Sequence, residues 1–200
     1  MGKEIEIKLA APGAAALEAI FSDVHVEQLR TGAWQEIRMV TEYLDTPDRS
    51  LAARKWMLRR RLENGEAVYT MKTPGDGYAR GEWESRRDEP REAVRELVRL
   101  GAPKELTALT AGGVSRTCGV EFLRRTAELT LEGTRCALCL DDGVLLGAAR
   151  RRPFCEAELE LISGPVEPML ALADELRERY ALREERQSKF VRAAELAGQP

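Results

Sequence analysis

Glu4-Ile5-Glu6-Ile7-Lys8-Leu9 is the stretch on which the fold turns. Alternate side chains of an extended chain share one face, about 6–7 Å apart. Glu4, Glu6 and Lys8 therefore line one side, and Ile5, Ile7 and Leu9 the other. Such a strand either lies at an edge with one face in water or turns its carboxylates toward a bound cation. The choice depends on whether other strands repeat the pattern.

They do. Arg59 and Arg61 share a face, as do Thr70 and Lys72 on the partner segment. Arg80, Glu82 and Glu84 oppose Gly81, Trp83 and Ser85, and Arg124, Thr126 and Glu128 oppose Leu123, Ala127 and Leu129. Glu156, Glu158 and Glu160 repeat the opening motif against Cys155, Ala157, Leu159 and Leu161.

Strands are predicted over 2–10, 34–45, 56–63, 66–73, 78–88, 116–132, 134–141 and 154–162. Asn64-Gly65 marks a hairpin because both residues tolerate positive φ. Pro74-Gly75-Asp76-Gly77 reads as a loop, and Gly133 and Asp142-Gly143 as turns. Helices are expected from Pro12 to Phe21, over 23–30, from Pro47 to Ala53, from Pro90 to Leu100, from Pro165 to Tyr180 and over 184–197. About eight hairpin-connected strands in this order predict an α+β fold, a closed eight-stranded antiparallel β-barrel with flanking helices.

The chain has 200 residues and a formal net charge of −3, which suits one domain, residues 1–200. Its slightly negative balance argues against a general nucleic-acid or membrane-surface binder. The four cysteines, Cys118, Cys136, Cys139 and Cys155, lack paired zinc-site spacing and read as buried thiols. No signal peptide or membrane-length apolar run is evident, so a cytoplasmic location is expected. His25 is the only histidine, which excludes a Ser-His-Asp triad and a multi-histidine metal site.

A small barrel ordinarily turns charge outward. Two features favour charge inside: helices with apolar faces, such as Met169-Leu170 and Leu172-Ala173, need an apolar outer surface, and the charges are sorted. Arg59, Arg61 and Lys72 cluster mid-chain, whereas the paired carboxylates occupy the first and last strands. This predicts a cationic wall for a polyphosphate and an acidic wall for a hard ion, Mg²⁺ or Mn²⁺. Arg60 falls on the outer face.

The ordered blocks Glu4-x-Glu6-x-Lys8, Tyr43-Leu44-Asp45-Thr46-Pro47, Leu58-Arg59-x-Arg61, Thr70-x-Lys72-Thr73, Arg80-Gly81-Glu82-Trp83-Glu84, Leu140-Asp141-Asp142-Gly143, Cys155-Glu156-x-Glu158-x-Glu160 and Ser188-Lys189 resemble the CYTH superfamily of triphosphate tunnel metalloenzymes over nearly the whole chain. The resemblance implies an eight-stranded tunnel, a divalent metal and a small-molecule triphosphate substrate. It implies metal ligation by Glu4, Glu6, Glu156 and Glu158, with Glu160 a fifth carboxylate, and a phosphate path lined by Lys8, Arg59, Arg61, Lys72, Arg80, Arg124 and Lys189. Glu82, Glu84 and Asp141 either hold those cations or ligate metal. Arg124 depends on strand register, because a slip of one residue exchanges it with Arg125. Tyr43 is expected either near Lys8, where the pair would be catalytic, or in packing at the tunnel mouth. Lys8 acts as a base only if neighbouring cations depress its pKa.

The blocks look most like bacterial inorganic triphosphatases, which implies hydrolysis of tripolyphosphate to pyrophosphate and phosphate. Thiamine triphosphatase and class IV adenylyl cyclase are the enzymatic alternatives, and a polyphosphate- or nucleotide-binding module the non-enzymatic one.

Overall fold

Alternating apolar and polar residues do build the strands of this chain, whose computed structural model describes residues 5–74 and 81–198. The elements are β1 (Glu6–Ala10), α1 (Ala14–Phe21), α2 (Val24–Leu29), β2 (Arg30–Asp45), α3 (Ser50–Ala53), β3 (Met57–Glu63), β4 (Glu66–Thr73), β5 (Gly81–Ser85), α4 (Pro90–Arg99), α5 (Glu105–Leu109), β6 (Ser115–Leu131), β7 (Thr134–Leu146), β8 (Arg151–Ser163), α6 (Glu167–Arg179), β9 (Arg183–Glu184) and α7 (Lys189–Leu196).

The fold is α+β, but the expected closed eight-stranded barrel is not formed. The strands make one nine-stranded antiparallel sheet in the order β5-β4-β3-β2-β6-β7-β8-β1-β9, which has two ends among the described residues. The reason lies at β1. Its outer edge, which closure would pair with another long strand, is taken by β9, with Leu9 opposite Glu184 and Ala10 opposite Arg183. The Glu185 amide also donates to the Lys8 carbonyl at 2.9 Å. An open edge with unpaired amides and carbonyls captures extended chain, and this overrides the helix expected from residue 184. Asp142-Gly143 likewise makes no turn: buried Leu145 and Leu146 carry β7 onward. The chain turns instead at 147–150, where the Gly147 amide donates to the Arg150 carbonyl at 2.9 Å.

The chain divides into two compact units, each with its own core. The first comprises Met1–Ile37, Phe122–Val144 and Arg152–Ser188. In it Leu17 and Ile20 of α1 and Met169, Leu172 and Leu176 of α6 pack on Leu9, Leu129, Leu138 and Leu159. Each such side chain, fully buried, contributes about 1.5–3 kcal/mol. Because the helices claim that face, the alternate residues must lie on the other: Lys8 stands opposite Glu158 and Ala10 opposite Glu156.

The same unit holds a buried acid, Asp23, which caps α2 by accepting from the His25 and Val26 amides at 2.7 and 3.0 Å. Burial would raise its pKa, but the Tyr180 hydroxyl, these amides and the Arg179 guanidinium outweigh it and hold the carboxyl at about 2. A depressed folded pKa adds stability that is full above the unfolded carboxyl range and is lost as pH falls toward about 2. Asp23→Asn should therefore flatten the acid limb of a pH–urea stability curve between about pH 4 and 2; a limb identical to wild type would show that Asp23 does not set it.

The second unit comprises Arg38–Glu121, Leu145–Arg151 and Lys189–Pro200. Asn64 (φ 50°) and Gly65 (φ 97°) make the two-residue turn between β3 and β4, as expected. Leu58, Tyr69 and Met71 pack beneath Val94 and Leu97 of α4. The C-terminal end of α7 passes so close to Gly147 that a Cβ there would stand 2.6 Å from the Leu196 carbonyl oxygen. No helix among the described residues is long and apolar enough to cross a membrane.

Candidate functional site

The first unit brings three carboxylates together on the helix-free side of its strands. Asp141 of β7 and Glu156 and Glu158 of β8 each offer an oxygen within 4.8 Å of the others, and all three are buried. Oxygens around one hard cation lie at most about 4–5 Å apart, so the spacing fits a divalent ion. So does the charge. Arg124 of β6 forks onto Asp141, with Nε and Nη2 each donating at 2.7 Å, and Nη2 also donates to Glu158. Three carboxylates and one guanidinium leave two formal negative charges, the complement of a divalent cation. Burial opposes the Arg124 charge, but Asp141 and Glu158 more than offset it and hold the pKa above the usual arginine range.

The register question is settled within this unit. Arg124 points to the carboxylates, whereas Arg125 lies on the helix side, paired with Glu18 at 2.5 Å and over the Phe21 ring at 4.7 Å. Lys8 faces Glu158 across the β1–β8 ladder and pairs with Glu6 at 3.5 Å. Glu6 stands opposite an exposed Glu160, and neither belongs to the three-carboxylate group. Glu4 and Arg80 lie outside the described residues.

In the second unit Arg59 and Arg61 alternate along one face of β3, opposite Tyr43 and Thr41 of β2. Lys72 of β4 stands opposite Glu82 of β5 and pairs with it at 2.8 Å. Glu84 accepts from the Thr70 hydroxyl at 3.1 Å and lies 3.8 Å from Arg59. Glu82 and Glu84 thus each lie within ion-pair distance of a cation. Arg61 pairs with Glu63 at 2.5 Å. Burial and the neighbouring Arg61 charge push the Arg59 pKa down. The Nε atoms of both arginines are buried with no hydrogen-bond partner among the described residues. Arg60 lies on the opposite face, 3.2 Å from Glu42.

Tyr43 is 6 % exposed, and burial pushes its hydroxyl up to about 12. It stays protonated at neutral pH and can donate but not act as a base. Its ring packs on Phe190 of α7, centroids 4.7 Å apart. Half-buried Lys189 precedes Phe190 and lies close enough for its charge to favour the Tyr43 phenolate. Tyr43 and Lys8 belong to different units. The sequence reading missed Phe190; its place directly after Lys189 was the available signal.

Several solved structures share the fold. A candidate adenylyl cyclase from Hippeastrum, HpAC1, described as having a dominant triphosphatase activity, is 18 % identical with a TM-score of 0.65, the match covering 98 % of this chain and 97 % of that one. A candidate adenylate cyclase from Bacillus halodurans is 19 % identical (TM-score 0.54, coverage 94 % and 96 %). The PH1819 protein of Pyrococcus horikoshii OT3 is also 19 % identical (TM-score 0.51, coverage 93 % and 96 %). The family model for the CYTH domain matches residues 2–194. With the fold shared and the match running almost end to end, the chain belongs to the CYTH domain family.

Proposed function

We propose that this chain is a metal-dependent triphosphatase that hydrolyses inorganic tripolyphosphate to pyrophosphate and phosphate. The carrying observation is the Arg59–Arg61 pair: two guanidiniums held side by side, partly desolvated, with buried Nε donors that have no hydrogen-bond partner among the described residues. Glu63 and Glu84 each offset part of one charge, and the buried Nε donors are left for a polyanion to complete. Arg59 and Arg61 bind the phosphate chain, with Lys72 and Lys189 adding point charges. Asp141, Glu156 and Glu158 would hold Mg²⁺ or Mn²⁺, with Glu4, Glu6 and Glu160 as further acidic groups. When bound, the ion supplies Lewis-acid polarisation of phosphoryl oxygens.

Arg124 keeps the Asp141 and Glu158 oxygens fixed, and the protonated Tyr43 hydroxyl serves as a donor beside Arg59. A water oxygen forms the new bond to a terminal phosphorus while the bond to the bridging oxygen breaks; pyrophosphate leaves as the anion, one proton of the water stays on the released phosphate and the other passes to solvent. Residues 1–200 act as one cytoplasmic catalytic domain, with a small-molecule triphosphate as partner and neither nucleic acid nor membrane. Phosphate release from tripolyphosphate, thiamine triphosphate and ATP tests this, with pyrophosphate and cyclic AMP also measured. Tripolyphosphate should be cleaved in Mg²⁺ or Mn²⁺, and chelation should abolish cleavage. Cyclic AMP formation without tripolyphosphate cleavage would assign a cyclase instead, and binding without turnover a noncatalytic module.

A further inference from the structure

We propose that Phe190, seated on Tyr43, closes the end of the arginine row and makes the site selective for an unsubstituted triphosphate over an organic one. This rests on the triphosphatase reading above. Arg61, Arg59 and Met57 occupy alternate positions of β3 and so share a face, each step about 6–7 Å. The two arginines are followed on this face by apolar Met57, with Lys72 of β4 opposite it.

Met57 lines a cavity together with Tyr43, Asp45, Arg49, Trp56 and Phe190. A substituent on the phosphate at the Met57 end of a chain lying along the arginines would enter here. The cavity measures about 20 Å³, whereas one water already needs about 10–15 Å³. Room for about one or two waters leaves no preformed slot for a nucleobase or a thiazolium ring.

The walls are fixed. The Asp45 carboxylate accepts from the Thr46, Leu51 and Ala52 amides at 2.8, 3.0 and 3.2 Å and faces Arg49 at 3.4 Å, so that side is locked to the backbone of α3. Another wall is the Tyr43–Phe190 ring pair, tilted at 50°. Lys189 and Phe190 are consecutive at the start of α7, so one turn of helix supplies a cation and, next to it, an apolar stop.

The test is the ratio of kcat/KM for ATP, and for thiamine triphosphate, to that for tripolyphosphate, in wild type and Phe190→Ala. Wild type should favour tripolyphosphate by about a hundredfold, and removing the ring should raise the organic-to-inorganic ratio about tenfold or more, chiefly through a lower KM for the organic substrates. Should the alanine variant be unstable, Phe190→Leu, which keeps an apolar side chain but removes the ring, is scored the same way. An unchanged ratio in either folded variant overturns the assignment of Phe190. So does a wild type that cleaves ATP and tripolyphosphate equally well, although the triphosphatase reading then survives. A wild type that cleaves no triphosphate overturns that reading and this inference together.

Discussion

Glu156→Gln should lower tripolyphosphate turnover by a factor of about 10²–10³ while leaving most of the phosphate affinity in place. The side chain is fully buried beside Asp141 and Glu158. The amide keeps the shape of the carboxylate and removes its charge. With Arg124 retained, the group would carry one formal negative charge where a divalent ion needs two. Arg59 and Arg61 are untouched by this change, so equilibrium binding of tripolyphosphate by calorimetry should weaken far less than turnover. Wild-type turnover together with wild-type Mg²⁺ affinity would show that the metal is held elsewhere.

Arg124→Ala should be the most destabilising single change at the site. It strips the fork from Asp141, which is fully buried, and from Glu158, which is nearly so. Removing one partner from a buried ion pair costs about 3–5 kcal/mol, because the charges left behind remain desolvated. Urea denaturation without divalent ions measures the loss. Mg²⁺ at about a hundred times its Kd should return roughly 2.7 kcal/mol, since it binds only the folded carboxylate group. Arg124→Lys should not rescue fully, because an ammonium cannot span Asp141 in two parallel bonds. A loss below about 1 kcal/mol would mean that water already screens the fork.

The parts legible in the sequence are those that depend on a period of two. Which face each strand presents follows from alternation: Lys8 pairs with Glu158 across the ladder, while Leu9, Ala157 and Leu159 turn to the helix-side core. The same rule separates Arg124 from Arg125, and Arg59 and Arg61 from Arg60. Pairings between distant segments were not legible, because no local pattern encodes them. Arg183-Glu184-Glu185-Arg186 has the charge spacing of a solvated helix, yet Arg183 and Glu184 become a strand because β1 presents an open edge. Barrel closure failed as an expectation for the same reason. Asp142-Gly143 has turn chemistry, but burial of Leu145 and Leu146 outweighs a local preference. The Asp141–Arg124 fork joins residues 17 apart in sequence; composition names both residues and says nothing of their meeting.

Gly147 gives the second unit a lever. An eight-residue helix is about 12 Å long, with Lys189 and Phe190 at one end of α7 and the Leu196 carbonyl pressed against Gly147 at the other. A methyl group at 147 would meet backbone, which cannot rotate aside as a side chain can. The helix would have to slide or tilt as a rod, carrying the ammonium and the ring with it. The missing side chain at 147 thus sets the resting position of two groups about a helix length away. A change there alters the site with none of the residues lining it replaced.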